Sequence, residues 1–140
     1  MGKILALDIG AKRTGIAETD PLQMIASGKE TVLTKDLMLY LKQLLDKEEI
    51  DEIVVGDPIQ MDGTPSESKP IVDRICREIE MNHPMQKIVL VDERFTSKMA
   101  SMSLFDSGLR KEKRKSKALV DEVSATIILQ DHLNRKERRR

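Results

Sequence analysis

Apolar residues crowd first into a nearly continuous run, Lys3 to Ile9, closed by Gly10, which is how a strand buried on both faces reads. After the turn Gly10-Ala11-Lys12-Arg13, residues 14–19 and 24–33 read as a second and a third strand. Connections this short favour antiparallel pairing. Leu37, Met38, Leu41, Leu44 and Leu45 then recur at helical spacing, with Thr34 available as an N-cap. Ile53-Val54-Val55 is a short apolar strand ended by Gly56-Asp57-Pro58, and a loop over residues 60–65 follows. Ile71, Val72, Ile75 and Ile79 predict a second helix, with Pro70 in its first turn and Pro84 beyond its end. Residues 88–91 are another buried strand, running into Asp92-Glu93-Arg94, and helical segments are expected over about residues 97–105 and 117–133. The order predicts an α/β fold with a mixed five-stranded sheet: a three-strand antiparallel meander plus two parallel strands reached by right-handed crossovers, with helices on both faces. Residues 1–140 form one domain, in which a loop at about 108–117 and a tail from about 134 to 140 are expected to be mobile.

Composition narrows the class. Apolar residues make up 39% of the chain, enough to bury a core, so a disordered chain is excluded. No run approaches the ~20 apolar residues of a membrane span, and Asp8 arrives too early for a signal peptide, so a cytoplasmic protein without a membrane partner is expected. The single cysteine, Cys76, sits beside Ile75 in an apolar-periodic stretch and reads as a packing residue. The 24 basic and 24 acidic side chains cancel, which argues at first against a polyanionic partner. Their distribution reverses that: residues 1–109 hold 13 basic and 19 acidic side chains, and residues 110–140 hold 11 and 5. The basic excess lies in Arg110-Lys111-Glu112-Lys113-Arg114-Lys115-Ser116-Lys117 and in Arg135-Lys136-Glu137-Arg138-Arg139-Arg140.

Three carboxylates stand where apolar residues are expected. Asp8 lies in the first, central strand, where an ionised group needs compensation: either backbone N–H groups of the glycine turn, or a metal ion or proton to be moved. Glu93 ends a buried strand, at the edge where α/β sheets bind ligands, or else pairs with Arg94. Asp121 flanks the apolar stripe of the last helix, three and four residues before the small pair Ser124-Ala125, or else it complements the helix dipole. Three such groups within about 4 Å would repel by about 1 to 4 kcal/mol per pair, so a cation is expected among them. Oxygen-only ligands select Mg²⁺ or Mn²⁺, whereas His83 and His132 are isolated and read as surface or partly buried residues.

These residues resemble the YqgF-type, RuvX-like family, described both as Holliday-junction resolvases and as pre-16S rRNA nucleases, with a ribonuclease H-like fold. The likeness covers nearly the whole chain: Leu7-Asp8-Ile9-Gly10-Ala11-Lys12-Arg13-Thr14-Gly15, Val55-Gly56-Asp57-Pro58 with Met61-Asp62-Gly63, Val91-Asp92-Glu93-Arg94-Phe95-Thr96-Ser97, and Val120-Asp121-Glu122-Val123-Ser124-Ala125. Two positions depart from it. Asp57 replaces an apolar residue, adding negative charge near the expected phosphate path, and Ser124 replaces the first of two alanines. The resemblance implies an acidic triad of Asp8, Glu93 and Asp121 that holds two Mg²⁺ or Mn²⁺ ions for phosphodiester hydrolysis, with Asp8 as the expected bridge. It also places Lys12 and Arg13 near a phosphate, has Arg94 either there or orienting Glu93, and gives Lys113, Arg114, Lys115 and the basic tail a role in holding nucleic acid. Three aromatic residues are too few for base stacking, so backbone and shape recognition is expected. Pre-rRNA is the preferred substrate and a branched DNA junction the alternative, with the protein a monomer or weak homodimer. Asp8-Ile9-Gly10 followed by Gly15 also resembles the first phosphate loop of sugar-kinase and actin-like ATP sites, but 140 residues supply one lobe where those need two. A non-catalytic nucleic-acid-binding factor is the remaining alternative.

Overall fold

The computed structural model describes residues 2–59, 63–64, 66–92 and 117–138. Five strands, β1 (Lys3–Ile9), β2 (Arg13–Thr19), β3 (Ala26–Leu33), β4 (Ile50–Asp57) and β5 (Lys87–Asp92), are joined by the helices α1 (Leu37–Lys47) and α2 (Lys69–Asn82), and α3 (Lys117–Arg138) ends the described chain. The sheet order is β3-β2-β1-β4-β5, antiparallel among β1, β2 and β3 and parallel from β1 through β4 to β5. This is the expected meander extended by two crossovers, with β1 at the centre.

Alternation along β1 explains why its sequence is apolar almost throughout. Leu5, Leu7 and Ile9 join Ile16, Ile53 and Val55 under Leu37, Leu41 and Leu44 of α1 and Val72, Ile75 and Ile79 of α2. Ile4 and Ala6 point the other way, joining Ala17, Val54 and Val91 under Ala125, Ile128 and Leu129 of α3. Each large aliphatic side chain buried in these two layers contributes about 1.5 to 3 kcal/mol. The α3 layer includes Ala6, Ala17 and Ala125, and its helix lies very close to β2. A Cβ built on Gly15 would stand 2.0 Å from the Asp121 carbonyl oxygen, so only glycine fits there.

Five details differ from the sequence expectation. β5, expected as a buried strand, is the edge of the sheet, where Val91 is buried but Leu90 is 50% exposed. β3 starts at Ala26 because the Asp20 carboxylate takes up the backbone N–H groups of Leu22 (3.2 Å), Met24 (2.9 Å) and Ile25 (2.8 Å), bending residues 20–25 into a turn. Thr34 does not cap α1. It opens a short 3₁₀ turn, and its hydroxyl donates to the Gly10 carbonyl (2.6 Å) and contacts the Thr14 hydroxyl (3.0 Å). α3 continues to Arg138, so residues 134–138, expected in a mobile tail, are helical. His132 is buried. Cys76 is half-buried against the first core, and burial pushes its thiol up to about 11, in keeping with a packing role. The helix expected at about 97–105 and nearly all of the basic loop lie outside the described residues.

Candidate active site

Asp8 is the last even-numbered position of β1, on the α3 side of the sheet with Ile4 and Ala6, and it is half-buried. Its register partner on β2 is Gly15. The space a Gly15 side chain would fill is taken by the α3 backbone at Asp121 and Glu122. Asp8 and Asp121, from the first strand and the last helix, therefore flank the same glycine. The absence of a Cβ at Gly15 is what admits the helix. Its motif position was visible in the sequence; its packing partner was not.

Arg13 opens β2 and reaches the same place, where its Nε donates to Asp121 Oδ2 at 3.2 Å. Both side chains remain partly solvated, at 33% and 27% exposure. The turn that carries Arg13 is fixed from two sides. Gly10 N–H donates to the Arg13 carbonyl (2.8 Å), and Thr34 N–H donates to the Lys12 carbonyl (2.8 Å) while its hydroxyl holds Gly10. Thr34, buried and 20 residues from Thr14, is thus a supporting residue of the site that the sequence suggested only as a helix cap. Lys12 is exposed in the turn. Glu93, Arg94, Lys113, Arg114 and Lys115 lie outside the described residues.

Asp57 ends β4 in register with Asp92 at the end of β5. Its charge is matched from α2, where Lys69 Nζ donates to Asp57 Oδ1 at 2.7 Å and also reaches Asp73 at 3.4 Å. The Asp57 contact is the main reason the Lys69 ammonium holds its proton more tightly than usual. The negative charge that Asp57 brings to this loop is therefore offset locally.

The donors at the site are carboxylate oxygens, the chemistry that suits a hard divalent ion. The Arg13 guanidinium is already drawn onto one of them, Asp121. Asp8 and Asp121 thus fit Mg²⁺ or Mn²⁺ in kind, although among the described residues no group of three ligating side chains is assembled. His132 takes no part in this. It lies in the other half of α3, where its Nε2 is 3.1 Å from Glu52 Oε2 on β4, and Lys136 Nζ pairs with Glu52 Oε1. Glu52 is itself buried, and nothing local in the sequence joins it to residues 80 and 84 positions away.

The chain matches the RuvX family model, described as "Holliday junction resolvase", over residues 2–135. A Flavobacterium psychrophilum protein named "Putative pre-16S rRNA nuclease" is 49% identical over 136 residues, 97% of this chain and 99% of that one. Relatives with the same printed name from Christiangramia forsetii and Porphyromonas gingivalis are 51% and 44% identical, covering 95% and 99% of this chain and 98% and 100% of their own. The likeness therefore runs from one end of each chain to the other.

Proposed function

Because this chain belongs to the RuvX family, we propose that it is a metal-dependent nuclease that hydrolyses phosphodiester bonds in processing the 5′ end of pre-16S rRNA. The observation that supports the reading is the meeting of the first strand and the last helix at Gly15, which pairs in register with Asp8 and lies under the α3 backbone at Asp121, so that two acidic residues from distant parts of the chain flank one glycine. With Glu93 they would hold Mg²⁺ or Mn²⁺ in a two-ion arrangement. Such ions, when bound, lower the pKa of an attacking water and stabilise the leaving oxygen.

The protein's own residues do the rest. Asp8, on the central strand, cannot move without the sheet, so its carboxylate is preorganised. Thr34 and Gly10 hold the turn that presents Lys12 and Arg13, the cations placed to meet a substrate phosphate. The Lys69 contact keeps Asp57 from repelling the nucleic-acid backbone. The names of the relatives favour ribosomal RNA over branched DNA.

The test is to incubate the purified protein with labelled pre-16S leader RNA and, in parallel, with a four-way DNA junction, each with and without Mg²⁺ or Mn²⁺. Cleavage of the RNA that requires the metal is expected, and Asp8→Asn should abolish it while leaving the circular dichroism spectrum unchanged. Cutting of the junction alone would overturn the ribosomal assignment, and undiminished cleavage by Asp8→Asn would overturn the carboxylate assignment.

A further inference from the structure

Arg13 is held by its backbone and solvated at its tip. The turn around it is tied by the Gly10, Lys12 and Thr34 hydrogen bonds, so only side-chain rotation takes the guanidinium to or from Asp121. Its Nε lies 3.2 Å from Asp121 Oδ2, and a third of the arginine side chain is exposed. An ion pair this solvated adds little to folding. It does, however, engage one of the two carboxylates at the site with the protein's own cation.

Resting on the carboxylate reading above, we propose that Arg13 is an internal counter-cation that a divalent metal must displace from Asp121, and that the displaced guanidinium then receives the substrate phosphate. A divalent ion and a guanidinium compete for the Asp121 oxygens. Once displaced, the planar fork of N–H donors is left at the rim of the site, on a fixed turn, where it matches phosphate oxygens. Arg13 is then a positioning residue with two stations. Metal and substrate binding become coupled through it, and linkage makes that coupling reciprocal.

Mn²⁺ titration of the metal-free full chain by calorimetry, without substrate, separates the possibilities. Arg13→Gln should bind Mn²⁺ at least about fivefold more tightly than the wild type, at the lower edge of ordinary coupling between sites. Arg13→Lys, which keeps the charge, should stay closer to the wild type. In the unsubstituted protein, the Arg13 Nε–H resonance should move and exchange faster with water as Mg²⁺ saturates, a readout independent of how any variant folds. If the wild type binds Mn²⁺ but Arg13→Gln binds it no more tightly, or if the resonance stays fixed at saturation, the displacement proposal fails while the metal site stands. If neither wild type nor Arg13→Gln binds Mn²⁺, the carboxylate reading fails and takes the proposal with it.

Discussion

Ser124 is 1% exposed, and its hydroxyl finds no hydrogen-bond partner among the described residues. It faces the sheet beside Ala125, one turn on from Asp121, where the small side chain lets α3 sit close. A buried, unpaired hydroxyl costs about 1 to 3 kcal/mol, and an alanine keeps the packing without that cost. Ser124→Ala should therefore raise stability by about 1 kcal/mol in urea unfolding, and a drop in stability would show that the hydroxyl is bonded after all. Asp57 presents the opposite case. It also departs from the family pattern, but Lys69 lies 2.7 Å away and the two charges offset each other. One unusual residue acquired a partner within the described structure and the other did not.

Between elements, Glu52 joins β4 to the last turns of α3 through His132 and Lys136. Burial drives the Glu52 carboxyl upward, but the contacts from Lys136 and His132 outweigh it and hold the group below its ordinary value of 4.5. Burial dominates for His132, with Lys136 and Lys87 adding to it, and pulls the imidazole below 6.5 despite the neighbouring Glu52. Both groups therefore bind protons less readily in the folded protein than in the unfolded chain. Unfolding takes up protons, so stability rises with pH. The His132 contribution is present above about 6.5 and is lost as pH falls through its lower folded value; the Glu52 contribution is lost further down, below 4.5. Urea midpoints should fall between about pH 7 and pH 5.5, and His132→Gln should flatten that part of the curve. An unchanged slope would assign the fall to other groups. This clamp was not legible in the sequence, because its members are 80 and 84 positions apart and nothing local joins them. The same holds for Thr34, whose cap preference yielded to a tertiary contact with Gly10, and for Gly15, whose neighbour is a helix about a hundred residues later. By contrast, β1, α1, α2, β4 and the meander with two parallel strands were legible, since burial imposes an apolar run or a helical period on those elements, and β5 was legible as a strand though not as an exposed edge. Asp8 and Asp121 stood out because a charge interrupts or borders that period.

Across the whole molecule, neutrality hides a long acidic part and a short basic one, and the structure refines what the basic part can do. Arg135 pairs with Asp131 at 3.1 Å and Lys136 with Glu52, so this part of the terminal cluster is engaged within the protein. The phosphate footprint should then rest mainly on residues 110–117. Neutralising Lys113, Arg114 and Lys115 together should weaken RNA binding and make the slope of log affinity against log salt shallower, by about 0.7 for each phosphate of a single strand that the loop no longer neutralises. An unaltered slope would remove the loop from the interface. No helix among the described residues is long and apolar enough to cross a membrane. The first strand and the last helix, which meet at Gly15, are also separated in time. A ribosome makes Asp8 with the first strand and Asp121 with the last helix, and domains acquire their contacts as the chain emerges. Until α3 has been synthesised and has docked, the face formed by Ile4, Ala6, Ala17, Val54 and Val91 stays uncovered. An unfinished chain therefore carries its sheet with one apolar face bare, and only the docking of its last helix covers that face and closes over Gly15.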